Sequence, residues 1–159
     1  MPNTLLLGPN KGRIHINFHH VIHSLPADIQ LSPCARVYLE ENNWTYVNGD
    51  GCGVKEAPIT LFVLKIANAI WGIDYTPICN IHDLEYGLNM MNDDTATCLK
   101  TYKHRATADV NLYHNMYVYA VDNGMVNYRA SRIAYVYHVA LALFGGRAYW
   151  RSIKKKDRV

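Results

Sequence analysis

Residues 79–87 read CNIHDLEYG, with a histidine and an aspartate side by side between a cysteine and a tyrosine. Thr76-Pro77 just upstream predicts a helix start, because threonine can cap a helix and proline suits its first turn. NDDTAT, at 92–97, would break that helix. Adjacent helix positions point about 100° apart. Cys79, His82 and Tyr86 therefore share one face, Asp83 lies on its flank, and the pair is expected to perform two different tasks at one cleft.

A second helix is predicted over about 103–121, ending at Asn123-Gly124. If it packs antiparallel to the first helix, Asp109 can approach His82, fix its tautomer and stabilise the imidazolium. The chain offers no serine or cysteine nucleophile in a motif, so the base would act on water. A third helix is predicted over about 126–144, ending at Gly145-Gly146, followed by a basic tail that we expect to be mobile.

A glycine-rich segment, NGDGCGVK, occupies positions 48–55. Such a segment can fold tightly and turn its carbonyl groups inward. Backbone carbonyls together with one carboxylate are the hard oxygen ligands that calcium prefers. Asp83, directed away from the His82 face, would be that carboxylate. Asp50 is either a further ligand or a turn former, and turn formation is the more common role for aspartate in such a segment.

The bulk composition indicates one ordinary domain. The chain has 159 residues and a formal net charge of +3, which is too weak an excess to indicate nucleic-acid binding, and no basic stripe accompanies a known binding motif. Its four cysteines form no C-x-x-C pair, which argues against a zinc knuckle. Two disulfides and four free thiols remain equally open from the spacing.

The first 43 residues predict a short extension of strand and loop. RIHINF, at 13–18, alternates polar and apolar residues, which is typical of a strand. SLPADIQLSPC and ENNWTYVNGDGCG are expected to be largely loop. The N-terminal histidines could suggest zinc, but a solvated strand face is the simpler interpretation; they are His15, His19, His20 and His23.

The apolar stretch at 59–71 predicts a helix that either enters the core or docks on a membrane. No stretch approaches the roughly 20 apolar residues of a membrane span. The first 15 residues lack the charged and apolar regions of a signal peptide. We therefore expect an extracellular or virion-associated protein delivered without a recognisable signal peptide, with a cytosolic location or a mature form without its leader left open.

With these residues in view, the chain resembles the secreted phospholipase A2 superfamily, and its prokaryotic and viral branches in particular. The signature of that superfamily is a cysteine-containing glycine loop, then C-x-x-H-D-x-x-Y on a helix, then an aspartate on an antiparallel helix. Here Cys79-x-x-His82-Asp83-x-x-Tyr86 matches the helix motif, DGCG at 50–53 matches the loop, and TADVNLYHNM matches the aspartate-bearing helix. The resemblance covers about residues 46–122.

The resemblance implies a mainly α-helical, phospholipase A2-like fold. Two long antiparallel helices would be bridged by the glycine-rich calcium loop, with a small N-terminal β/loop extension (1–43) and an extra C-terminal helix and basic tail (125–159), all in one domain spanning 1–159. It implies calcium-dependent hydrolysis of the sn-2 ester of glycerophospholipids, with a phospholipid membrane or aggregate as partner and no nucleic acid.

The resemblance also implies a role for individual residues. His82 would be the general base, and Asp109 and Tyr86 would orient it. Calcium would be held by the Asp83 carboxylate and by the backbone carbonyls of the loop, namely Gly51, Gly53 and Lys55. The Gly53 amide would complete an oxyanion hole, and Cys52 would pair with Cys79. Apart from the resemblance, we expect Cys34 and Cys98 to form the second pair.

The sequence departs from the family in three ways. Lys55 stands where the animal enzymes usually have glycine. The stretch KEAPITLFVLKIANAI makes the span from Cys52 to Cys79 longer than in the compact enzymes, and the two ends have no clear counterpart. A catalytically silent module on the same scaffold, with a structural or membrane-interacting role, is the alternative. Inactive family members typically lose the histidine or the aspartate of the motif, and this chain has both.

Overall fold

The helices and strands of this protein come from a computed structural model that describes residues 12–18, 20–46, 72–87 and 102–156. Within these ranges the chain is mainly helical and carries one small three-stranded sheet. In chain order the elements are β1 (Arg13–Phe18), β2 (Val21–Pro26), α1 (Pro33–Glu41), β3 (Thr45–Tyr46), α2 (Thr76–Glu85), α3 (Tyr102–Asp122) and α4 (Asn127–Lys156).

The predicted strand over 13–18 is confirmed with the same bounds. β1 pairs antiparallel with β2 and parallel with β3, which gives the order β2-β1-β3. Ile16 and Phe18 are buried in the core, whereas Arg13 and His15, earlier in the strand, are exposed. This alternation is what a half-buried strand requires, since successive side chains face opposite sides.

The N-terminal histidines do not converge in the part of the chain that the structure describes. His15 and His20 are exposed, and His23 packs its ring against Phe18 with the centroids 5.4 Å apart. His19 lies outside the described residues. No group of three potential metal-ligating side chains occurs within the described ranges.

Helix α1 occupies a region between two segments predicted to be largely loop. Its start carries a recognisable signal: Ser32 accepts a hydrogen bond from the Ala35 amide at 3.3 Å, and Pro33 stands in the first turn. A serine cap followed by proline is a strong start because both satisfy or remove amides that have no partner in the helix. The extension is therefore a β-hairpin with a helix rather than strand and loop.

Helix α2 begins at Thr76 as predicted, but threonine does not cap it. The N-cap position is Tyr75, which makes no side-chain cap, and the Thr76 amide instead donates to the Asp74 carboxylate at 2.9 Å. The helix ends at Glu85, earlier than predicted, because Gly87 adopts a φ of +73° that a helix cannot continue. It has 10 residues rather than forming one of two long helices.

Helix α3 ends where the sequence predicted. Gly124 has a φ of +86°, its amide donates to the Val121 carbonyl, and the Met125 amide donates to the Ala120 carbonyl. This pair of bonds is the Schellman arrangement, which satisfies carbonyls that would otherwise have no partner at the helix end. The Asn123-Gly124 pair therefore acts as a helix stop.

The prediction that α4 ends at Gly145-Gly146 is wrong, because the helix continues to Lys156. These glycines permit close packing inside the helix. A Cβ on Gly145 would lie 2.8 Å from the Tyr86 hydroxyl, and one on Gly146 would lie 3.1 Å from Arg105. Residues 151–156 of the tail that we expected to be mobile are helical, and 157–159 lie outside the described residues.

One hydrophobic core unites the sheet with all four helices of the described region. Its largest members come from strands, helices and the segment before α2; they include Phe18, Leu25, Leu39, Tyr46, Tyr75, Ile78, Leu84 and Met116. Tyr75 packs against Tyr119 and Tyr137, so the start of α2 meets the end of α3. The predicted helix over 59–71 and the break at 92–97 lie outside the described residues.

The N-terminal extension is fastened to α3 by a buried asparagine. The Asn115 side chain accepts a hydrogen bond from the Gln30 amide at 2.6 Å and donates to the Gln30 carbonyl at 2.8 Å. Asn115 is 1% exposed, so both backbone groups of Gln30 are satisfied away from water. His114 adds a bond to the Asp28 carbonyl at 3.0 Å.

We expect Asn115→Ala to destabilise the protein by about 2–4 kcal/mol, because it leaves the Gln30 amide and carbonyl without partners. Chemical denaturation followed by circular dichroism measures the loss. Asn123→Ala is the matched control, since that exposed side chain donates to the Tyr119 carbonyl within its own helix end. Equal losses in the two variants would contradict the assigned role of Asn115 in fastening the N-terminal extension to α3.

Candidate active site

Helices α2 and α3 run antiparallel, and their contacts define the candidate site. Tyr75 near the start of α2 meets Tyr119 near the end of α3, and the Glu85 carbonyl accepts from His104 Nε2 at 2.7 Å at the opposite ends. Between these contacts, His82 Nε2 lies 3.1 Å from Asp109 Oδ1. The approach of Asp109 to His82 that the sequence predicted is present.

The His82–Asp109 pair is almost fully shielded from solvent, and each residue is 6% exposed. A neutral imidazole that donates through Nε2 presents its lone pair on Nδ1. Within the described residues, Nδ1 makes no hydrogen bond. The carboxylate therefore favours the tautomer in which Nδ1 can accept a proton, and it would stabilise the resulting imidazolium.

Tyr86 completes this side of the site. Its hydroxyl donates to Asp109 Oδ1 at 2.5 Å, and its ring centroid lies 4.1 Å from that of His82. Burial, followed by the neighbouring Asp109 carboxylate, raises the pKa of Tyr86. The phenol thus remains a donor at every pH at which the protein would work, and it holds the carboxylate in place beside the imidazole.

The charge on Asp109 is stabilised against its burial. Burial by itself would raise the pKa of Asp109, but hydrogen bonds from His82 and Tyr86 and the charge of Arg105 outweigh it and lower the pKa below its usual value. The Arg105 guanidinium lies 3.6 Å from Asp109 Oδ2, one helical turn before it on α3. Asp109 is therefore ionised, with two hydrogen bonds to Oδ1 and an ion pair at Oδ2.

Helix α4 contacts three residues of the candidate site. Arg105 donates to the Leu141 carbonyl at 3.1 Å, and His138 Nδ1 donates to the Asp109 carbonyl at 3.1 Å. Tyr149 packs edge-on against Tyr86, with centroids 5.1 Å apart. The sequence analysis missed these residues. Only Arg105 had a local signal, since it stands four residues before Asp109, a spacing that brings side chains together on a helix.

A second buried carboxylate, Glu85, was also missed. Glu85 is 0% exposed, and its Oε1 accepts from the Ser32 amide at 2.6 Å and from Asn111 Nδ2 at 2.9 Å. Among the described residues, Oε2 has no hydrogen-bond partner. Burial raises the pKa of Glu85 to about 7, although the bonds from Ser32 and Asn111 act in the opposite direction. This residue joins α2 to the start of α1.

Asp83 lies on α2, next to His82 in the chain, and is half-buried. The other predicted calcium ligands, Gly51, Gly53 and Lys55, lie outside the described residues, as do Asp50, Cys52 and Cys98. Cys34 and Cys79 are disulfide-bonded, but their pairing is not settled within the described ranges. The pairing of Cys52 with Cys79 therefore stays a prediction.

Glu85 should make the stability of the protein depend on pH. Because its pKa in the folded state exceeds the ordinary value of 4.5, its contribution is complete below about pH 4.5 and is lost as the pH rises through 7. We expect a loss of about 3 kcal/mol between pH 5 and pH 8.5. Glu85→Gln should flatten this dependence. Denaturation at several pH values in chelator is the measurement, and a parallel decline in both proteins would contradict the assignment.

The contact between Gly145 and Tyr86 can be tested by a double-mutant cycle. Gly145→Ala should destabilise the parent by about 1–3 kcal/mol, because the new methyl group overlaps a hydroxyl held by Asp109. In a Tyr86→Phe background the same change should stabilise by about 1 kcal/mol, since alanine is the better helix former. A cost that persists without the hydroxyl would refute the contact.

Three comparisons were made: with protein-family models, with curated proteins and with solved structures. None finds a match to this chain. The functional interpretation therefore depends on the motif itself and on the side-chain geometry around His82.

Proposed function

We propose that this protein is a calcium-dependent phospholipase A2, a carboxylic ester hydrolase acting on the sn-2 ester of glycerophospholipids, on a phospholipase A2-like fold. The observation that carries the proposal is the buried triad of His82, Asp109 and Tyr86. In it the Nε2 edge of the imidazole is bonded to a carboxylate and Nδ1 is left as the acceptor. This arrangement suits a base that activates water rather than a protein nucleophile.

The reaction follows from the roles of these groups. His82 Nδ1 takes a proton from water, and the hydroxide oxygen forms a bond to the ester carbonyl carbon. Asp109 stabilises the imidazolium during this step. When the tetrahedral intermediate collapses, the bond from carbon to the sn-2 oxygen breaks, and the imidazolium returns its proton to that oxygen. The products are a fatty acid and a lysophospholipid.

The calcium site is assigned to Asp83 and to the backbone carbonyls of Gly51, Gly53 and Lys55. Asp83 suits this role because it is a carboxylate on the residue next to the base that does not share the dyad face. Bound calcium would offset negative charge on the ester oxygen. The Gly53 amide would donate to the same oxygen.

The bonded cysteines support a location outside a reducing cytosol. Disulfides persist in secreted, periplasmic and particle-associated proteins and are rare in the cytosol. Cys79 stands one helical turn before His82, so its bridge anchors the catalytic helix. We propose that its partner is Cys52, which would tie the calcium loop to α2, and that the protein acts extracellularly or from a virion.

We expect His82→Gln to reduce fatty-acid release from phospholipid by at least a hundredfold, because glutamine cannot accept and return a proton. Calcium binding, measured by calorimetry, should remain close to that of the parent. If this variant retains a tenth of the parent activity, His82 is not the base. A parent that binds calcium but releases no fatty acid would favour the catalytically silent alternative.

Asp83→Asn should behave differently, because it removes the fixed charge assigned to the metal. Calcium affinity and turnover should fall together, and higher calcium should restore part of the activity here but none in His82→Gln. The informative readout is the calcium dissociation constant. An unchanged constant in Asp83→Asn would remove Asp83 from the site.

A further inference from the structure

Helix α4 combines length, positive charge and an exposed apolar face. Its 30 residues, Asn127–Lys156, contain no aspartate or glutamate. Seven arginines and lysines are distributed along it; they are Arg129, Arg132, Arg147, Arg151, Lys154, Lys155 and Lys156. A basic helix with a distinct apolar face is typical of a surface that lies on a membrane.

Of the six large exposed apolar residues that the structure describes on this helix, four follow one side, whereas Val136 lies at the border of that side and Phe144 lies well outside it. Leu143 is 70% exposed, Tyr135 62%, Tyr128 59% and Trp150 40%. At 100° per residue these four side chains project within an arc of about 80°. Arg132 falls inside this arc. We call these five residues the outer stripe.

The core does not account for the outer stripe. The opposite side of α4 already packs inward through Ile133, Ala134 and Tyr137, which are buried. Single exposed apolar residues are ordinary, but an aligned set of large ones indicates a surface that is covered in use. Within the described residues, no helix is long and apolar enough to cross a membrane.

We propose that the outer stripe docks this protein on the surface of an anionic phospholipid bilayer. The nature of the partner rests on the proposed function, whose substrate is a phospholipid aggregate. Tyrosine and tryptophan favour the boundary between headgroups and acyl chains, where an apolar ring and a polar tip are both satisfied. Arg132 within the stripe and Arg129 and Arg147 beside it would meet the phosphate groups.

Charge argues against a second copy of the chain as the occupant. A two-fold contact brings the same surface of both copies together. The stripe and its borders would then bring the arginines of one copy, Arg129, Arg132 and Arg147, against the arginines of the other, and α4 contributes no acidic residue to pair with them. A bilayer with anionic lipid supplies the opposite charge and an apolar layer at once.

The same part of α4 also contacts the candidate site. Gly145 approaches the Tyr86 hydroxyl, and Tyr149 packs on the Tyr86 ring. Leu143 and Trp150 lie within two residues of these contacts on the chain. Docking through the outer stripe would therefore hold the His82–Asp109 dyad about one helix diameter, roughly 10 Å, from the bilayer-facing side of α4.

The experiment measures co-sedimentation with vesicles in the presence of chelator, using the full chain carrying His82→Gln so that no lipid is consumed. The vesicles are either pure phosphatidylcholine or phosphatidylcholine with one third phosphatidylglycerol. We expect Leu143→Ser to weaken binding to the anionic vesicles at least tenfold. Ile22→Ser on β2 is the matched control, because Ile22 is also 70% exposed, and it should bind as the parent does.

The charge is tested separately with Arg132→Gln combined with Arg147→Gln. This variant should lose the preference for anionic over neutral vesicles, and the parent preference should fall as salt rises. Thermal unfolding by circular dichroism identifies any variant that fails to fold, and Tyr135→Ser then replaces Leu143→Ser.

Three outcomes would overturn the proposal. One is unchanged vesicle binding by Leu143→Ser and Tyr135→Ser, and another is an equal loss with Ile22→Ser. The third is a parent dimer in sedimentation equilibrium that Leu143→Ser dissociates, without vesicle binding, which would assign the stripe to a second copy.

Hydrolysis of a monomeric short-chain phospholipid, by chains with His82 intact, separates this proposal from the proposed function. Leu143→Ser should hydrolyse that substrate as the parent does. If the parent does not hydrolyse it but Leu143→Ser still loses vesicle binding, the docking surface stands and the proposed activity fails.

Discussion

The buried carboxylate of Asp109 is the group around which the helices of this protein are arranged. Removing an ion from water is costly unless donors and opposite charge replace the lost hydration. Here His82 on α2 and Tyr86 directly after that helix supply the donors, and Arg105, one turn earlier on α3, supplies the charge. These contacts require α2 to cross α3 in one direction and register, so the hydrogen-bonding requirement of one side chain fixes the position of α2.

The need to stabilise the Asp109 carboxylate also constrains α4. Tyr86 can reach Asp109 only if its hydroxyl has room, and that room exists because residue 145 has no side chain. Arg105 is held over Gly146 and bonded to the Leu141 carbonyl. Two successive glycines inside a helix cost stability relative to alanine. Their presence here is explained by the approach of two polar groups that both serve Asp109.

The N-terminal extension is integrated with this arrangement rather than appended to it. Glu85, one residue from Tyr86, receives the Ser32 amide and Asn111, and Asn115 on α3 receives the backbone of Gln30. These buried polar contacts specify geometry, since a shift of either partner would leave groups without hydrogen bonds. The segment outside the family resemblance thus helps to set the spacing of α2 and α3, on which the dyad depends.

Some features could be predicted from short stretches of sequence, because their signals lie within a few residues. The alternation in RIHINF gave β1, the Asn123-Gly124 pair gave the end of α3, and the motif around His82 indicated an orienting carboxylate that Asp109 provides. The Ser32-Pro33 start of α1 was equally local and was overlooked. The start of α2 was predicted correctly but with the wrong capping group, because the Asp74 carboxylate, and not the Thr76 hydroxyl, accepts a hydrogen bond from a first-turn amide.

Only the tertiary structure decided the conformation and burial of residues whose surroundings come from distant parts of the chain. Gly145-Gly146 has the sequence of a helix stop, yet the helix continues because Tyr86 and Arg105 fill the space that side chains would have taken. Glu85 has the sequence of an exposed helix residue, yet packing against α1 buries it and raises its pKa. By itself the sequence determined which residue types stand at helical spacing around His82. Packing determined which carboxylates are buried, because burial is a property of the surroundings and not of the residue.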